Sequence, residues 1–301
     1  MADITASMVK ELRGSTGVGM MDAKKALVEN DGNMEAAVDW LRTKGLSKAA
    51  KKSGRTAAEG LVAVVTEGTT GAVVEINSET DFVSRNEEFQ GFVKSVAEKA
   101  VSVNTIEELA AAELNGLPVS ENLTKLIATI GENMTMRRME KLSVSQGAVV
   151  GYVHSALADG LGRIGVLVAL ESSGDDAKLQ ALGKQVAMHV AAANPQFLNK
   201  DSVSADVIER ERKVLVEQAV ASGKTPEIAE KMVEGRIRKF YQEICLTEQA
   251  FIMDPDKTVA QAITEAGADI KLTAFARVQL GEGIEKEEED FAAEVAAVAN
   301  G

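Results

Sequence analysis

The chain has 301 residues, of which 45% are hydrophobic, and its formal net charge is −13. This length predicts about two compact domains, and the negative charge repels phosphate backbones, which disfavours direct binding of nucleic acid. No apolar run approaches the roughly 20 residues of a membrane span, and the N-terminus lacks the pattern of a targeting segment, so we expect a cytoplasmic protein without membrane contact.

Residues 1–55 are predicted to form a small N-terminal domain of three helices and a linker. Apolar residues recur at helical spacing in three segments between residues 4 and 44, and turns rich in Gly and Asn separate them. Gly17-Val18-Gly19 could suggest a phosphate loop, but it follows a helix and lacks the third glycine and the lysine, which favours a plain interhelical turn. The stretch 45–54 is interpreted as a link to the main body.

A basic island interrupts the acidic chain around that link. Its members are Arg42, Lys44, Lys48, Lys51, Lys52 and Arg55. Such a run is typical of a solvated helix end, although contact with an acidic or RNA surface is also compatible with it. The residues alone leave both interpretations open.

Residues 56–145 are predicted to form a first core subdomain that begins with a β-hairpin. Two β-branched runs, 61–65 and 72–76, flank a Gly-Thr-Thr-Gly turn. A loop then leads into a helix that continues to about Ala100. Ser84 and Glu87 have the spacing of a capping box at the start of this helix.

The candidate binding site is the loop between that hairpin and that helix, and its central residues are Thr80, Asp81, Phe82 and Val83. An aromatic ring beside a carboxylate at a loop tip can insert into a pocket of a protein partner. Alternatively, Phe82 folds back onto its own core, because loop aromatics often cover sheet edges. The sequence of the loop does not decide between the two.

The order strand, turn, strand, helix recurs at 148–153, 164–170 and 176–192. Two related subdomains, each a small antiparallel sheet covered by helices, give an α+β fold rather than a doubly wound parallel sheet. The second core subdomain is predicted to comprise residues 146–200 and 242–280, with further strands at 244–252 and 274–280.

Two segments are predicted to be helical additions to this core. Residues 201–241 have the pattern of a helical hairpin, with Thr225 as N-cap and Pro226 at the first position of the second helix. An apolar stripe on this hairpin makes homodimerisation the leading hypothesis for its role. Residues 281–301 are predicted to form a C-terminal helical module, in which the acidic run 285–290 is a solvated helix start rather than a cation cage.

No catalytic motif is found, so the chain is predicted not to be an enzyme and no catalytic residue, metal or cofactor is assigned. Walker-type, dinucleotide-binding, nucleophile-elbow and His-Glu-x-x-His patterns are all missing from the sequence. With Cys245 as the only cysteine and His154 and His189 as the only histidines, a Cys/His zinc cluster is excluded. Both histidines are interpreted as packed or hydrogen-bonded side chains.

Six ordered blocks, which span almost the entire chain, resemble the bacterial translation elongation factor Ts family. The blocks are 10–13 with 16–27, then 80–83, 130–133, 188–192, 230–236 and 281–285. The resemblance implies an N-terminal domain like ubiquitin-associated (UBA) domains, two similar core subdomains, a dimerisation hairpin and a C-terminal module.

The resemblance also implies a function, namely guanine-nucleotide exchange without catalytic residues. A protein of this family binds elongation factor Tu in its GDP form and promotes release of GDP. The loop Thr80–Val83 would wedge beside the nucleotide site and help to dislodge the magnesium ion. Leu12, Met20, Met21 and His154 match further partner-binding positions with weaker support.

Two other classes of function are weighed against this one. A scaffold or ribosome-associated module would bind RNA or a chaperone client through the helical bundle and the basic island, and its mark would be salt-sensitive RNA binding. An acidic metal-dependent hydrolase would need convergent carboxylates, for which the sequence offers no suitable spacing.

Overall fold

The computed structural model describes residues 4–16, 18–223 and 225–285. Its N-terminal part is a three-helix bundle made of α1 (Ala6–Thr16), α2 (Met20–Glu29) and α3 (Met34–Lys52). Asn33 caps α3 by accepting a hydrogen bond from the amide of Ala36. The bundle has its own small apolar core, which contains Val9, Leu12, Ala23, Ala26, Leu27, Ala37 and Leu41.

The stretch 45–54, interpreted as a link to the main body, is helical over most of its length, because α3 continues past residue 44 to Lys52. Ala and Lys, which dominate this stretch, are good helix formers. Ala49 also packs against the core of the main body, so the last turns of α3 have a surface to bury. The bundle therefore joins the core through a helix.

The first core unit contains an antiparallel hairpin, several helices and a third long strand. Its elements are β1 (Glu59–Glu67), β2 (Thr70–Ser78), α4 (Glu87–Ala100), α5 (Ile106–Ala111), β3 (Glu113–Leu114), β4 (Leu117–Pro118), α6 (Val119–Ile130) and β5 (Met134–Ser143). The sheet has the order β5-β2-β1 and gains a short fourth strand, β7 (Leu161–Gly162), beside β1.

The second core unit repeats this plan. Its elements are β6 (Gly147–His154), β8 (Ile164–Glu171), α7 (Asp176–Ala193), β9 (Ala250–Phe251), β10 (Asp254–Thr258), α10 (Val259–Ala266) and β11 (Lys271–Gln279). The three-stranded sheet has the order β11-β8-β6, and its pairings are antiparallel like those of the first sheet. The predicted α+β class with antiparallel sheets is confirmed.

The two sheets pack face to face, with a helix on the outer face of each. Along β1, Leu61 and Ala63 contact the core under α4, whereas Val62 lies in the cluster between the sheets. Along β8, Val168 lies under α7 and Leu167 between the sheets. This alternation explains the continuous apolar runs in the sequence, since strands buried on both faces need apolar residues at every position.

A glycine at the start of each unit marks the repeat. Gly60 and Gly147 have φ of +120° and +123°, and a Cβ atom at these positions would lie 2.2 Å from the carbonyl oxygen of Ile76 and 2.1 Å from that of Leu170, respectively. Only glycine fits such a positive φ and such a close approach of the backbone. The two units thus share a local constraint as well as an order of elements.

A helical hairpin leaves the second unit between its first helix and its last strands. It consists of α8 (Ala205–Ala221) and α9 (Pro226–Ile244), as the sequence predicts. Leu215 of α8 packs against Val233 and Ile237 of α9. The strand predicted at 244–252 is mostly wrong, because α9 runs to Ile244 and a 3₁₀ turn follows before the two-residue β9.

Two further findings concern the described ranges as a whole. Within them, no helix is both long and apolar enough to cross a membrane. Nor do the described side chains include a group of three or more His, Cys, Asp and Glu arranged to hold a metal ion. Most of the predicted C-terminal module, residues 286–301, lies outside the described residues.

Candidate functional site

The loop predicted to bind a partner connects the end of β2 to the start of α4. Ser78 is the last residue of β2, and a 3₁₀ turn at Val83–Arg85 precedes the helix. Asn86 caps α4 by accepting a hydrogen bond from the amide of Phe89 at 3.0 Å. The loop therefore has a regular element on both sides.

The predicted capping box at this helix start is wrong, since Ser84 lies in the 3₁₀ turn and Asn86 is the cap. The buried hydroxyl of Ser84 donates instead to the carbonyl oxygen of Gly60 at 2.8 Å. Val83 is buried in the core of the first unit. These two contacts fix the side of the loop that follows Phe82 onto β1 and the core.

The side of the loop that precedes Phe82 is fixed by the carboxylate of Glu132, in the turn between α6 and β5. The amide of Thr80 donates to Oε2 of Glu132 at 2.9 Å, and the hydroxyl of Thr80 donates to Oε1 at 2.7 Å. The hydroxyl of Ser78 donates to the carbonyl oxygen of Thr80 at 2.9 Å. Thr80 thus has its amide, hydroxyl and carbonyl groups all engaged.

The ring of Phe82 points into solvent between these two fixed sides. Its side chain is 77% exposed, and the neighbouring Asp81 is also exposed. The alternative in which Phe82 folds back onto its own core is therefore wrong for this conformation. The backbone around the ring is nevertheless ordered, because the amides of Ser84 and Arg85 donate to the carbonyl oxygens of Asp81 and Phe82 at 3.2 and 3.1 Å. An exposed aromatic ring on a fixed backbone is suited to fill a pocket of another protein, since little conformational entropy remains to be lost.

The weaker partner-binding candidates in the bundle differ from one another. Met20 and Met21, at the start of α2, are 62% and 76% exposed and present flexible apolar side chains to solvent. Leu12 is fully buried in the core of the bundle. Its assignment as a partner contact is corrected, because a side chain that closes a core has no surface to offer. Its helical spacing with Val9 predicts that core position as well.

His154 and His189, the two histidines, lie in contrasting surroundings. His154 ends β6 with an exposed ring, and its Nδ1 lies 3.2 Å from the hydroxyl of Tyr152. His189 is buried in α7, where its Nε2 lies 2.9 Å from Gln249 Oε1 and its Nδ1 accepts a hydrogen bond from the amide of Ile252 at 3.2 Å. Burial lowers the pKa of His189, and the Gln249 contact opposes this only in part.

The basic island is largely occupied with contacts inside the chain. Arg42 pairs with Glu121 at 2.8 Å, Lys48 with Asp22 at 3.0 Å and Arg55 with Glu79 at 3.3 Å, and the ammonium group of Lys44 lies 5.0 Å from the centre of the Trp40 ring. Lys52 donates to the carbonyl oxygen of Gly131. These contacts favour the interpretation as a helix end that connects the bundle to the core.

A buried carboxylate, Glu75, lies on β2 three residues before Ser78, the last residue of the strand. It accepts hydrogen bonds from the side chains of Asn77, Arg137 and Arg138 and from the amide of Gly281. Burial alone would raise the pKa of Glu75, but the bonds from Gly281, Asn77 and Arg138 outweigh this effect and lower it. Glu75 is therefore held as a carboxylate and joins β2, β5 and the end of β11.

Sequence reasoning missed Glu132, although it lies in one of the six blocks that carry the family resemblance. Its contact with Thr80 joins positions 52 residues apart, and no local spacing announces such a contact. The only signal available was that the blocks 130–133 and 80–83 both resemble the same protein family.

Comparisons with known proteins give one consistent result. The family model described as "Elongation factor TS" matches residues 79–282. A protein named elongation factor Ts from Ruegeria sp. (strain TM1040) is 62% identical over 298 residues, which cover 99% of each chain. Proteins of the same name from Rhizobium etli (strain CFN 42) and Paramagnetospirillum magneticum (strain AMB-1) are each 58% identical, over 100% and 99% of this chain and 100% and 98% of their own lengths.

Proposed function

The chain belongs to the elongation factor Ts family, and we propose that it is a guanine-nucleotide exchange factor that binds elongation factor Tu with GDP and speeds release of the GDP. It regenerates elongation factor Tu for translation elongation and has no catalytic residues of its own. Its place of action is the cytoplasm, where that step occurs.

The observation that carries this proposal is the exposure of Phe82 on a loop whose backbone is fixed on both sides. The ring of Phe82 is 77% exposed in the free protein, and contact of its apolar surface with water is unfavourable in free energy. A partner's pocket that covers the ring removes this surface from water and so favours binding. Asp81 beside it adds a carboxylate that addresses polar groups at the rim of that pocket. Interfaces often concentrate their binding energy in one such buried aromatic side chain.

The mechanism we propose is displacement of the partner's elements beside its nucleotide site. Insertion of Phe82 shifts helices that hold the magnesium ion, which weakens first the coordination of the ion and then the contacts to the β-phosphate of GDP. By reciprocity, a factor that lowers the affinity of its partner for GDP must itself bind less tightly when GDP is present. The factor therefore works by stabilising the nucleotide-free state.

The other predicted contacts are assigned to the same partner. Met20 and Met21 form an exposed apolar pair on the bundle, and His154 lies at an exposed strand end on the second unit. We propose that the bundle, the Thr80–Val83 loop and the C-terminal module contact the GTPase domain of elongation factor Tu, and that the second core subdomain contacts its third domain.

We also propose that the chain divides into the following functional segments. Residues 1–55 form the UBA-like domain, and the two core subdomains comprise 56–145 and 146–200 with 242–280. Residues 201–241 mediate homodimerisation, and 281–301 form the C-terminal module. Neither nucleic acid nor a membrane is proposed as a direct partner.

The test is stopped-flow release of a fluorescent GDP from purified elongation factor Tu in the presence of magnesium ions. We expect this protein to accelerate release by orders of magnitude at saturating concentration, and excess magnesium to oppose the effect. An unchanged rate of GDP release with the bacterial partner would refute the exchange function. Release that was accelerated but insensitive to magnesium would refute the proposed route through the metal ion.

A further inference from the structure

We propose that Glu132 is a positioning residue for the Phe82 loop, because its carboxylate holds Thr80 and so fixes the direction in which Phe82 is presented. This inference rests on the proposed exchange function and assigns to that site a residue that lies outside the loop itself. Glu132 is two residues from the start of β5 and 52 residues from Thr80 in sequence.

The contact between the two segments is reciprocal. The amide of Thr80 donates to the carboxylate of Glu132 at 2.9 Å, while the amide of Asn133 donates to the carboxylate of Glu79 at 2.5 Å. Each segment therefore supplies one amide and one carboxylate to the other. Hydrogen bonds from amides to ionised carboxylates are stronger than those between neutral groups, and the side chain of Glu79 is only 18% exposed.

The start of β5 is itself held in place. Gly131 ends α6 with φ of +90°, in the left-handed region that favours glycine. Its carbonyl oxygen accepts a hydrogen bond from Lys52 at the end of α3, and the side-chain amide of Asn133 donates to the carbonyl oxygen of Arg55 at 2.7 Å. Glu132 therefore stands on a turn that the core and α3 both support, and it can transmit that support to the loop.

This arrangement has a definite kinetic consequence. If the bonds to Glu132 were lost, the loop would sample orientations that cannot enter the partner. The apparent affinity would then fall in proportion to the fraction of molecules whose loop is oriented for binding. At saturating factor, bound molecules still carry Phe82 and still displace the partner's helices. The half-saturating concentration should therefore rise while the maximal rate of GDP release changes little.

The experiment measures GDP release from elongation factor Tu over a range of factor concentrations for three variants. For Glu132→Gln we expect the half-saturating concentration to rise about tenfold, with the maximal rate within about twofold of the unaltered protein. Thr80→Val, which removes the hydroxyl but keeps the amide, should give a smaller rise. Glu140→Gln, on the exposed face of β5, is the matched control.

A second measurement does not depend on the partner. Hydrogen exchange of the Thr80 amide in the free protein should quicken in Glu132→Gln and stay unchanged in Glu140→Gln. Only Glu132→Gln replaces one of the two oxygens that accept from Thr80 with an NH2 group and removes the charge that strengthens both bonds. Unchanged protection of Thr80 in Glu132→Gln would overturn the proposal, as would a fall in maximal rate with no change in half-saturating concentration. If the unaltered protein fails to accelerate GDP release, the proposed nucleotide-exchange function is refuted. Quicker hydrogen exchange of Thr80 in Glu132→Gln would then show only a structural contact, and the positioning role would be refuted together with the function.

Discussion

The amide of Gly281 donates a hydrogen bond to the buried carboxylate of Glu75 at 2.7 Å, across 206 positions of sequence. Gly281 follows β11 of the second unit, whereas Glu75 lies on β2 of the first. Arg137 and Arg138 on β5 reinforce this junction by donating to Glu75 and to the backbone of the segment 279–282. One carboxylate therefore joins the two units and the start of the C-terminal segment.

Replacement of this carboxylate should destabilise the fold. Glu75→Gln keeps the shape but removes the charge that two arginines face, and we expect the free energy of unfolding to fall by roughly 2–3 kcal/mol, less than for a fully buried pair because both arginines are partly exposed. Chemical denaturation at neutral pH measures this, with the exposed Glu140→Gln as control. A change no larger than that of the control would contradict the role of Glu75.

The lowered pKa of Glu75 also gives a sign for its pH dependence. Because its pKa in the folded protein lies below its ordinary value of 4.5, its contribution to stability is present above that value and is lost as the pH falls through and below it. The difference in unfolding free energy between Glu75→Gln and the unaltered protein should therefore shrink in acid. A difference that stayed constant down to the acid limit of folding would contradict this linkage.

The buried imidazole of His189 predicts a second pH dependence, in a higher range. The amide of Ile252 donates to Nδ1, so the proton is on Nε2 and faces Gln249. Burial lowers the pKa of His189 in the folded state, so the unfolded chain takes up this proton first as the pH falls below about 6.5, and stability decreases.

Thermal unfolding from about pH 8 to about pH 5.5 measures this effect. In His189→Gln the decrease in melting temperature over this range should become smaller than in the unaltered protein, whatever the absolute stability of the variant. His154→Gln is the matched control, because its ring is exposed. An equal slope in all three proteins would show that His189 does not titrate with unfolding.

Local patterns in the sequence predicted most helices, the β-hairpin of β1 and β2, and the helical hairpin of α8 and α9, because helical and strand periodicities depend on neighbouring residues. They failed where a distant contact decides. The sequence of β5, rich in Met, Arg, Glu and Lys, has no strong strand signal, and the strand forms because it pairs with β2 along its whole length. Ser84 fits a capping box by spacing, but it lies in a 3₁₀ turn where its hydroxyl donates to the carbonyl oxygen of Gly60, and Asn86 caps the helix instead.

The same limit applies to the candidate site. The loop with Phe82 could be chosen from sequence, since an aromatic residue next to an acid between a strand and a helix is unusual enough to notice. The exposure of Phe82 could not be predicted, because it depends on which of the two neighbouring residues packs into the core, and that residue is Val83. The supporting carboxylate of Glu132 could not be found either, as it approaches through the chain's fold rather than along its sequence.

Comparison of Phe82 with Phe89 separates binding from stability within one loop and its helix. Phe82→Ala should change the free energy of unfolding by less than about 0.5 kcal/mol, because the ring is exposed, while it lowers the acceleration of GDP release by roughly thirtyfold or more. Phe89 is fully buried, so Phe89→Ala should cost about 3–5 kcal/mol. Full exchange activity in Phe82→Ala would remove this ring from the interface.

The hairpin of α8 and α9 predicts self-association through the apolar residues that its own core leaves outside. Leu215, Val233 and Ile237 close that core, whereas Ile228 and Met232 are about half exposed at an i,i+4 spacing on α9. In the proposed dimer, two copies of the hairpin would cover this pair. The double variant Ile228→Lys/Met232→Lys should therefore raise the dimer dissociation constant by at least about tenfold, since each new charge would have to be buried.

Sedimentation equilibrium over a wide range of protein concentration measures the constant, and Glu230→Lys, on an exposed position of the same helix, controls for the added charge. A monomer at every concentration, or a double variant that dimerises like the control, would remove this surface as the dimer contact.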